Sequence, residues 1–161
     1  MIKRLLLVLA SASVLLLNTA RAENSPDTDL VLLTENFPPY NMAKNGKNFA
    51  KEENIGLAMV QGLGAVKKVV MGVYNVPEQH YKANTLEGAF EMLSLTGTID
   101  TMAGKPYSHF HIAVGDEQGA AHGGHLNEAI ISATAEIVIT KLAGSVDRRK
   151  SEETGLNIWK F

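Results

Sequence analysis

The sequence predicts an α+β fold, mainly antiparallel β-sheet with one or two short helices. Three observations carry that expectation. From Leu57 onward, apolar runs of strand length recur at short intervals between glycine, proline and polar residues. These runs are rich in valine, isoleucine, threonine and aromatic side chains, which suit a pleated, half-buried surface. Helical composition is confined to Asn41 to Asn54, and within it best fits Asn48 to Asn54. Many strands with so little helix indicate an antiparallel sheet.

In chain order, Leu30 to Thr34 (LVLLT) is a buried strand, too short for a stable helix. Phe37-Pro-Pro-Tyr40 blocks regular structure, because each proline lacks a donor and restricts its predecessor. Ala58 to Gln61 is a strand candidate ending at a tight turn, Gly62-Leu63-Gly64. Val66 to Tyr74 is strand-like, and Asn75 to Gln79 turns around Pro77. Tyr81 to Leu86 and Gly88 to Ile99 are further strands. In the second of these, register decides whether Phe90 or the Leu93/Leu95 pair enters the core. Ala103 to Lys105 turns into the strand Ser108 to Val114, and Gly115 to Gly119 is polar turn material. Ala129 to Leu142 reads as strand, and Ala143 to Val146 turns. Asp147 to Glu153 is charged, and Leu156 to Trp159 forms a final apolar patch.

The N-terminus predicts the compartment. Met1 to Arg4 is basic, Leu5 to Leu17 is almost wholly apolar, and Asn18 to Ala22 ends in an A-x-A-like site. This is the layout of a secretory signal peptide with cleavage after Ala22, placing the mature chain in the periplasm or outside the cell. The apolar run is short for a membrane span of about 20 residues, so no stable anchor is expected after cleavage. Removing Lys3, Arg4 and Arg21 from fifteen basic residues leaves twelve against seventeen acids, a net charge of −5. The 139 residues from Glu23 are enough for one domain with a core. An acidic chain is a poor polyanion binder, since phosphate contacts need a basic patch. Lys67-Lys68 and Arg148-Arg149-Lys150 cluster positive charge, and both read as solvated faces. No cysteine is present, so disulfides, thiolate metal sites and cysteine nucleophiles are excluded.

Four of the five histidines fall between His109 and His125. His109 and His111 lie two apart on the strand Ser108 to Val114. Alternation therefore puts both imidazoles on one face and Phe110 and Ile112 on the other. Gly123-Gly124 permits a close backbone approach that brings His125 back beside them. Neutral imidazole is the commonest zinc ligand, and three histidines with one open position form a known zinc arrangement. The expected site is thus a divalent metal, zinc foremost, on His109, His111 and His125. His122 precedes the glycines and is not counted as a ligand, and His80 reads as surface. Glu128, three residues after His125, is the best candidate for a second-shell partner or fourth ligand. Asp116 and Glu117 read as turn residues. No catalytic residue is assigned, because no Ser-His-Asp order, phosphate loop or dinucleotide fingerprint is present.

Two resemblances follow from longer stretches. The segment DLVLLTENFPPYNMAKNGKNFAKEENI, behind the signal peptide, resembles the start of a periplasmic amino-acid-type solute-binding protein. Its likeness stops near residue 57, so ligand binding of that type is not carried over. From residue 58 to 161 the blocks GLGAVKKVVMGVYN, LEGAFEMLSLTGTI, GKPYSHFHIAVGDEQGAAHGGHL, TAEIVI and RRKSEETGLN closely resemble the plant-and-prokaryote-conserved (PPC) domain. That resemblance implies an antiparallel α+β fold and a homotrimer. It also implies a metal at the HxH and GGH histidines, and DNA binding in the plant members. The expected organisation is a signal peptide (1–22), a solute-binding-like segment supplying a strand and a helix (23–57), and a PPC-like domain (58–161).

Three functions compete on these grounds. One is an exported PPC-domain protein with a three-histidine metal site, more a binding protein than an enzyme. The second is a DNA-binding module, as the resemblance implies, against which stand the export signal, the acidic charge and the absence of an AT-hook. The third is a cupin-like metalloenzyme, which shares the HxH pattern but expects a glutamate three or four residues after His111.

Overall fold

The computed structural model describes the backbone of residues 5–10, 14–17, 31–33 and 43–44, and residues 47–161 continuously, with side chains from Phe49 onward. The expected cleavage segment (18–22) and the Phe37-Pro-Pro-Tyr40 loop lie outside the described residues. Short strands come first: β1 (Leu5–Ala10), β2 (Val14–Leu17), β3 (Val31–Leu33), β4 (Ala43–Lys44) and β5 (Lys47–Asn48), followed by helix α1 (Phe49–Glu52). Four long strands follow: β6 (Ala58–Asn75), β7 (His80–Met102), β8 (Lys105–Gly115) and β9 (Ala121–Lys141). A small hairpin, β10 (Asp147–Lys150) and β11 (Asn157–Lys160), closes the chain.

The long strands form a hydrogen-bonded ring. β6 pairs antiparallel with β7 and with β9, and β8 pairs antiparallel with β7 and with β9. Within this ring no long strand is left with both edges free, which suppresses pairing with foreign chains. β3 joins β9 antiparallel at Glu128–Ile130, so the expected N-terminal strand is part of the sheet. β1 lies parallel to β9 at Ala135–Ile139. β10 continues parallel to β7 at Thr101 and Met102. Among the described residues no helix is long and apolar enough to cross a membrane.

The sheet is built from fewer and longer strands than the sequence reading expects. Gly62-Leu63-Gly64 is not a tight turn: it lies within the continuous strand β6, as an irregularity in the register with β7. Gly64 has φ +151°, and a Cβ there would stand 2.4 Å from the Thr134 carbonyl oxygen. The extra residue lies on β7, where Leu93 and Ser94 face Leu63 alone, so β6 runs on through the glycines without ending. Tyr81–Leu86 and Gly88–Ile99 likewise merge into β7. The same bulge appears between Met92 and Ser94 in the pairing with β8, and it resolves the register question. It reverses the facing of alternate residues, so Met92 and Leu95 are buried while Leu93 is 57% exposed. Phe90 packs against the rim of the core.

Buried faces of all four long strands meet in one cluster that includes Val60, Val69, Leu95, Phe110, Leu126 and Ile137. Ala50 and Ile55 seal it from the helix side. On β8 the even residues Ser108, Phe110, Ile112 and Val114 are buried, and this alternation turns His109 and His111 to the other face.

Candidate metal centre

β8 carries His109 and His111 on the face opposite Phe110 and Ile112, as alternation requires. Their partner comes from β9, where His125 sits directly across from His111 in the antiparallel ladder. Directly opposed residues bring their Cβ atoms to about 4.5–5.5 Å, so these two imidazoles are neighbours by register alone. His125 also stands opposite Gly72 of β6, at the point where β9 passes from one partner strand to the other.

A bulge aims His125. Val70 pairs with Glu128 and Met71 with Leu126, so Asn127 is the extra residue. Beyond it, Ala129 and Ile131 face the core; before it, Leu126 does. An unbroken alternation would have given His125 the inward facing of Ala129 and Ile131. The bulge reverses that facing and turns the imidazole toward His111. Tyr81 braces the bulge. Its hydroxyl donates to the His125 carbonyl oxygen at 2.9 Å and also reaches Asn127 Oδ1, and its ring meets the His125 ring edge-on at 5.7 Å.

The three rings converge. Their centroids lie 5.2 Å apart for His109 and His111, 5.0 Å for His109 and His125, and 5.6 Å for His111 and His125. One ligand atom from each lies within 4.8 Å of the others. Zinc–nitrogen bonds of about 2.0–2.1 Å call for donors about 3.3 Å apart, a gap that small ring rotations close. Three imidazole nitrogens suit zinc and its divalent transition-metal neighbours, whereas hard cations such as calcium need oxygen ligands.

Gly123 and Gly124 permit the close approach expected of them, in extended strand rather than in a turn. A Cβ on Gly124 would stand 2.5 Å from the Gly72 carbonyl oxygen. Gly124→Ala is therefore expected to push β9 off β6 beside His125, at a cost of about 1–3 kcal/mol. Urea unfolding measures the loss, and histidine side-chain NMR of the same variant should show the His125 resonance displaced.

The other acidic and histidine candidates lie elsewhere. Glu128 does not join the three imidazoles: it points from β9 to Lys68, with Oε1 3.1 Å from Nζ. Two residues of bulged strand separate its facing from that of His125, which i, i+3 spacing in the sequence conceals. His122 pairs with Asp116 at 3.1 Å, at the tip of the β8–β9 hairpin. Asp116 also accepts the backbone N–H groups of Gln118 and Ala120. The hydrogen bond from His122, then those amides, hold its carboxyl below the usual aspartate value. Asp116 therefore serves the turn, as expected, and His80 and Glu117 are exposed.

The sequence reading overlooked a second constellation. Arg148 was expected on a solvated basic face, but only Arg149 and Lys150 are exposed. Arg148 is 8% exposed, and its Nε and Nη2 donate to the two carboxylate oxygens of fully buried Asp100 at 2.7 Å each. Trp159 Nε1 donates to Asp100 Oδ2 at 2.8 Å, and Arg148 Nη1 donates to the Asn157 carbonyl oxygen at 2.8 Å. Arg148 also lies over the Tyr107 ring, 4.7 Å from its centroid. This network fastens the β10–β11 hairpin to β7 and β8. It reaches the imidazoles through Thr98, which faces His109 across the ladder and hydrogen-bonds Asp100 at 3.2 Å. An Asp and an Arg separated by 48 positions leave no local signal.

Around the imidazoles runs an open groove of about 1070 Å³, bordered by Tyr74, Tyr81, Thr98, Arg148 and Trp159. The family profile of the Plants and Prokaryotes Conserved (PCC) domain matches residues 43–143. The chain belongs to the PCC family. The match begins at Ala43, upstream of the junction expected at residue 58, and so takes α1 and the chain before β6 into the PCC domain.

Solved structures of similar proteins share this fold. A plant- and prokaryote-conserved protein from Pyrococcus horikoshii is 34% identical, with a TM-score of 0.67 over 71% of this chain and 80% of that one. A metal-containing protein from Archaeoglobus fulgidus is 33% identical, with a TM-score of 0.66 over 70% and 80%. A proposed DNA-binding protein from Bacteroides thetaiotaomicron is 32% identical, with a TM-score of 0.68 over 70% and 79%. Comparison with curated proteins finds no match.

Proposed function

We propose that this PCC-domain protein binds a divalent metal, zinc foremost, through His109, His111 and His125. The convergence of three imidazoles from two strands, with ligand atoms within 4.8 Å, carries the reading. The metal-containing relative from Archaeoglobus fulgidus supports it. A bound ion would supply a Lewis-acid position facing the groove. The chain's own contribution is to orient the three rings through strand register, the Asn127 bulge and the Tyr81 brace. No carboxylate belongs to the imidazole group among the described residues, which favours a binding role over the cupin-like enzyme reading.

The protein is further read as exported, with residues 1–22 as its signal peptide, so that cleavage removes β1 and β2 and leaves the ring of β6 to β9 intact. A solute-binding-like origin is proposed only for the chain before Ala43, which contributes β3 to the sheet. The exposed apolar residues Met59, Leu63 and Leu93 support self-association, for which a homotrimer is proposed. Native mass spectrometry of protein from the periplasmic fraction tests export, cleavage and trimer together.

Metal analysis tests the central claim. The wild-type chain is expected to hold one zinc per protomer, and His111→Ala to weaken zinc binding by more than about 100-fold, beyond what losing an outer partner costs. A wild-type chain without metal, or a His111→Ala chain that keeps it, sinks the reading. The second reading, duplex DNA binding, draws on relatives from Bacteroides thetaiotaomicron and Ralstonia eutropha described as proposed DNA-binding proteins. It requires affinity that falls steeply with salt.

A further inference from the structure

We propose that the groove beside the imidazoles is a subsite for a small organic anion with a flat apolar body, held head-first at the metal and flanked by Trp159. This rests on the metal reading above and adds the class of ligand.

Charge is the first argument. The charged side chain bordering the groove among the described residues is Arg148, and both oxygens of Asp100 neutralise it. Glu128, the nearest acid to His125 in sequence, is engaged by Lys68. Three neutral imidazoles leave a divalent ion with its whole charge, so the open side of the site complements an anion. Asp100 cannot supply that anion, being committed to Arg148, Thr98 and Trp159.

Shape and lining are the second. At about 1070 Å³ the groove is in the size range of small-molecule sites. Its wall beyond the imidazoles includes Tyr74, Leu156, Ile158 and Trp159, mostly carbon, with Thr98, Asn157 and the neutralised Arg148 as polar points. Such a wall rewards an aromatic or branched body and does little for a bare inorganic anion. Trp159 is 37% exposed yet held by its bond to Asp100, so its ring is oriented before a ligand arrives.

Trp159 is the single tryptophan, so its fluorescence reports the groove directly. The full chain in its native oligomer, loaded with zinc or with cobalt, is titrated with benzoate, acetate and inorganic phosphate. Calorimetry and the cobalt absorption band are read alongside the fluorescence. Benzoate is expected to bind about tenfold tighter than acetate, through ring contact, and to perturb the cobalt band. Trp159→Leu should abolish that preference at unchanged metal content, and Trp159→Phe should keep most of it. Equal binding of benzoate and acetate, a preference that survives Trp159→Leu, or equal binding without metal overturns the proposal. A chain that takes up no zinc overturns the metal reading and this subsite with it. A chain that takes up zinc but leaves benzoate unbound overturns the subsite alone.

Discussion

Replacing Asp100 with alanine is expected to destabilise the protein by about 3–5 kcal/mol, the usual consequence of removing one partner of a buried ion pair. The reason is not the strength of the pair, since burying two charges costs nearly as much as their attraction returns. It is the state left behind. Arg148, 8% exposed, would keep its charge while losing the acceptors for Nε and Nη2, and Trp159 would lose the acceptor for Nε1. Urea unfolding of Asp100→Ala measures the loss, and the near-ultraviolet signal of Trp159 should fade if the β10–β11 hairpin lets go. Replacing both partners by apolar residues, Asp100→Leu with Arg148→Met, should recover much of the stability, because no orphaned charge remains. A loss below about 1 kcal/mol for Asp100→Ala would mean that water reaches Arg148 freely, contrary to its burial.

Phe110→Ala should cost a similar amount, about 3–5 kcal/mol. Phe110 is wholly buried and heads the largest side chains in the core. Truncating it forfeits the transfer of a phenyl ring out of water and opens a cavity among side chains that relax only in part. Its position adds a second consequence. Phe110 lies between His109 and His111 on the strand and anchors the opposite face of β8, so a void beneath that strand loosens both imidazoles. Zinc affinity should fall along with stability in Phe110→Ala, and fall less in Phe110→Leu, which keeps part of the volume. Thermal unfolding with and without zinc separates the two effects. An unfolding midpoint within a few degrees of wild type would show that the core collapses to fill the space.

Local pattern made some of this legible. β8 announces itself by β-branched and aromatic residues, and its strict alternation sorts Phe110 and Ile112 inward and His109 and His111 outward. The turn around Pro77 and the polar tip at Asp116 follow from residues that favour turns. The bulges were not legible. Gly62-Leu63-Gly64 has turn composition, yet β6 runs through it, because pairing with β7 and β9 on both sides outweighs a local tendency to reverse. Leu93 and Leu95 look alike in sequence, and an extra residue between Met92 and Ser94 sends them to opposite faces. The Asp100–Arg148–Trp159 network was invisible for another reason: burial and long separation give no periodic signal.

By itself, then, the sequence determined the β-rich class and the side of β8 on which two imidazoles stand, since both depend on alternation within one strand. Tertiary structure alone decided that β9 returns in the register that sets His125 opposite His111, and that the Asn127 bulge turns its ring toward them. It also decided that Arg148, alone among the charged residues of 147–153, is drawn inward to border the groove. Register and bulge position arise from pairing between residues far apart in the chain, where one residue of slip exchanges the two faces of a strand.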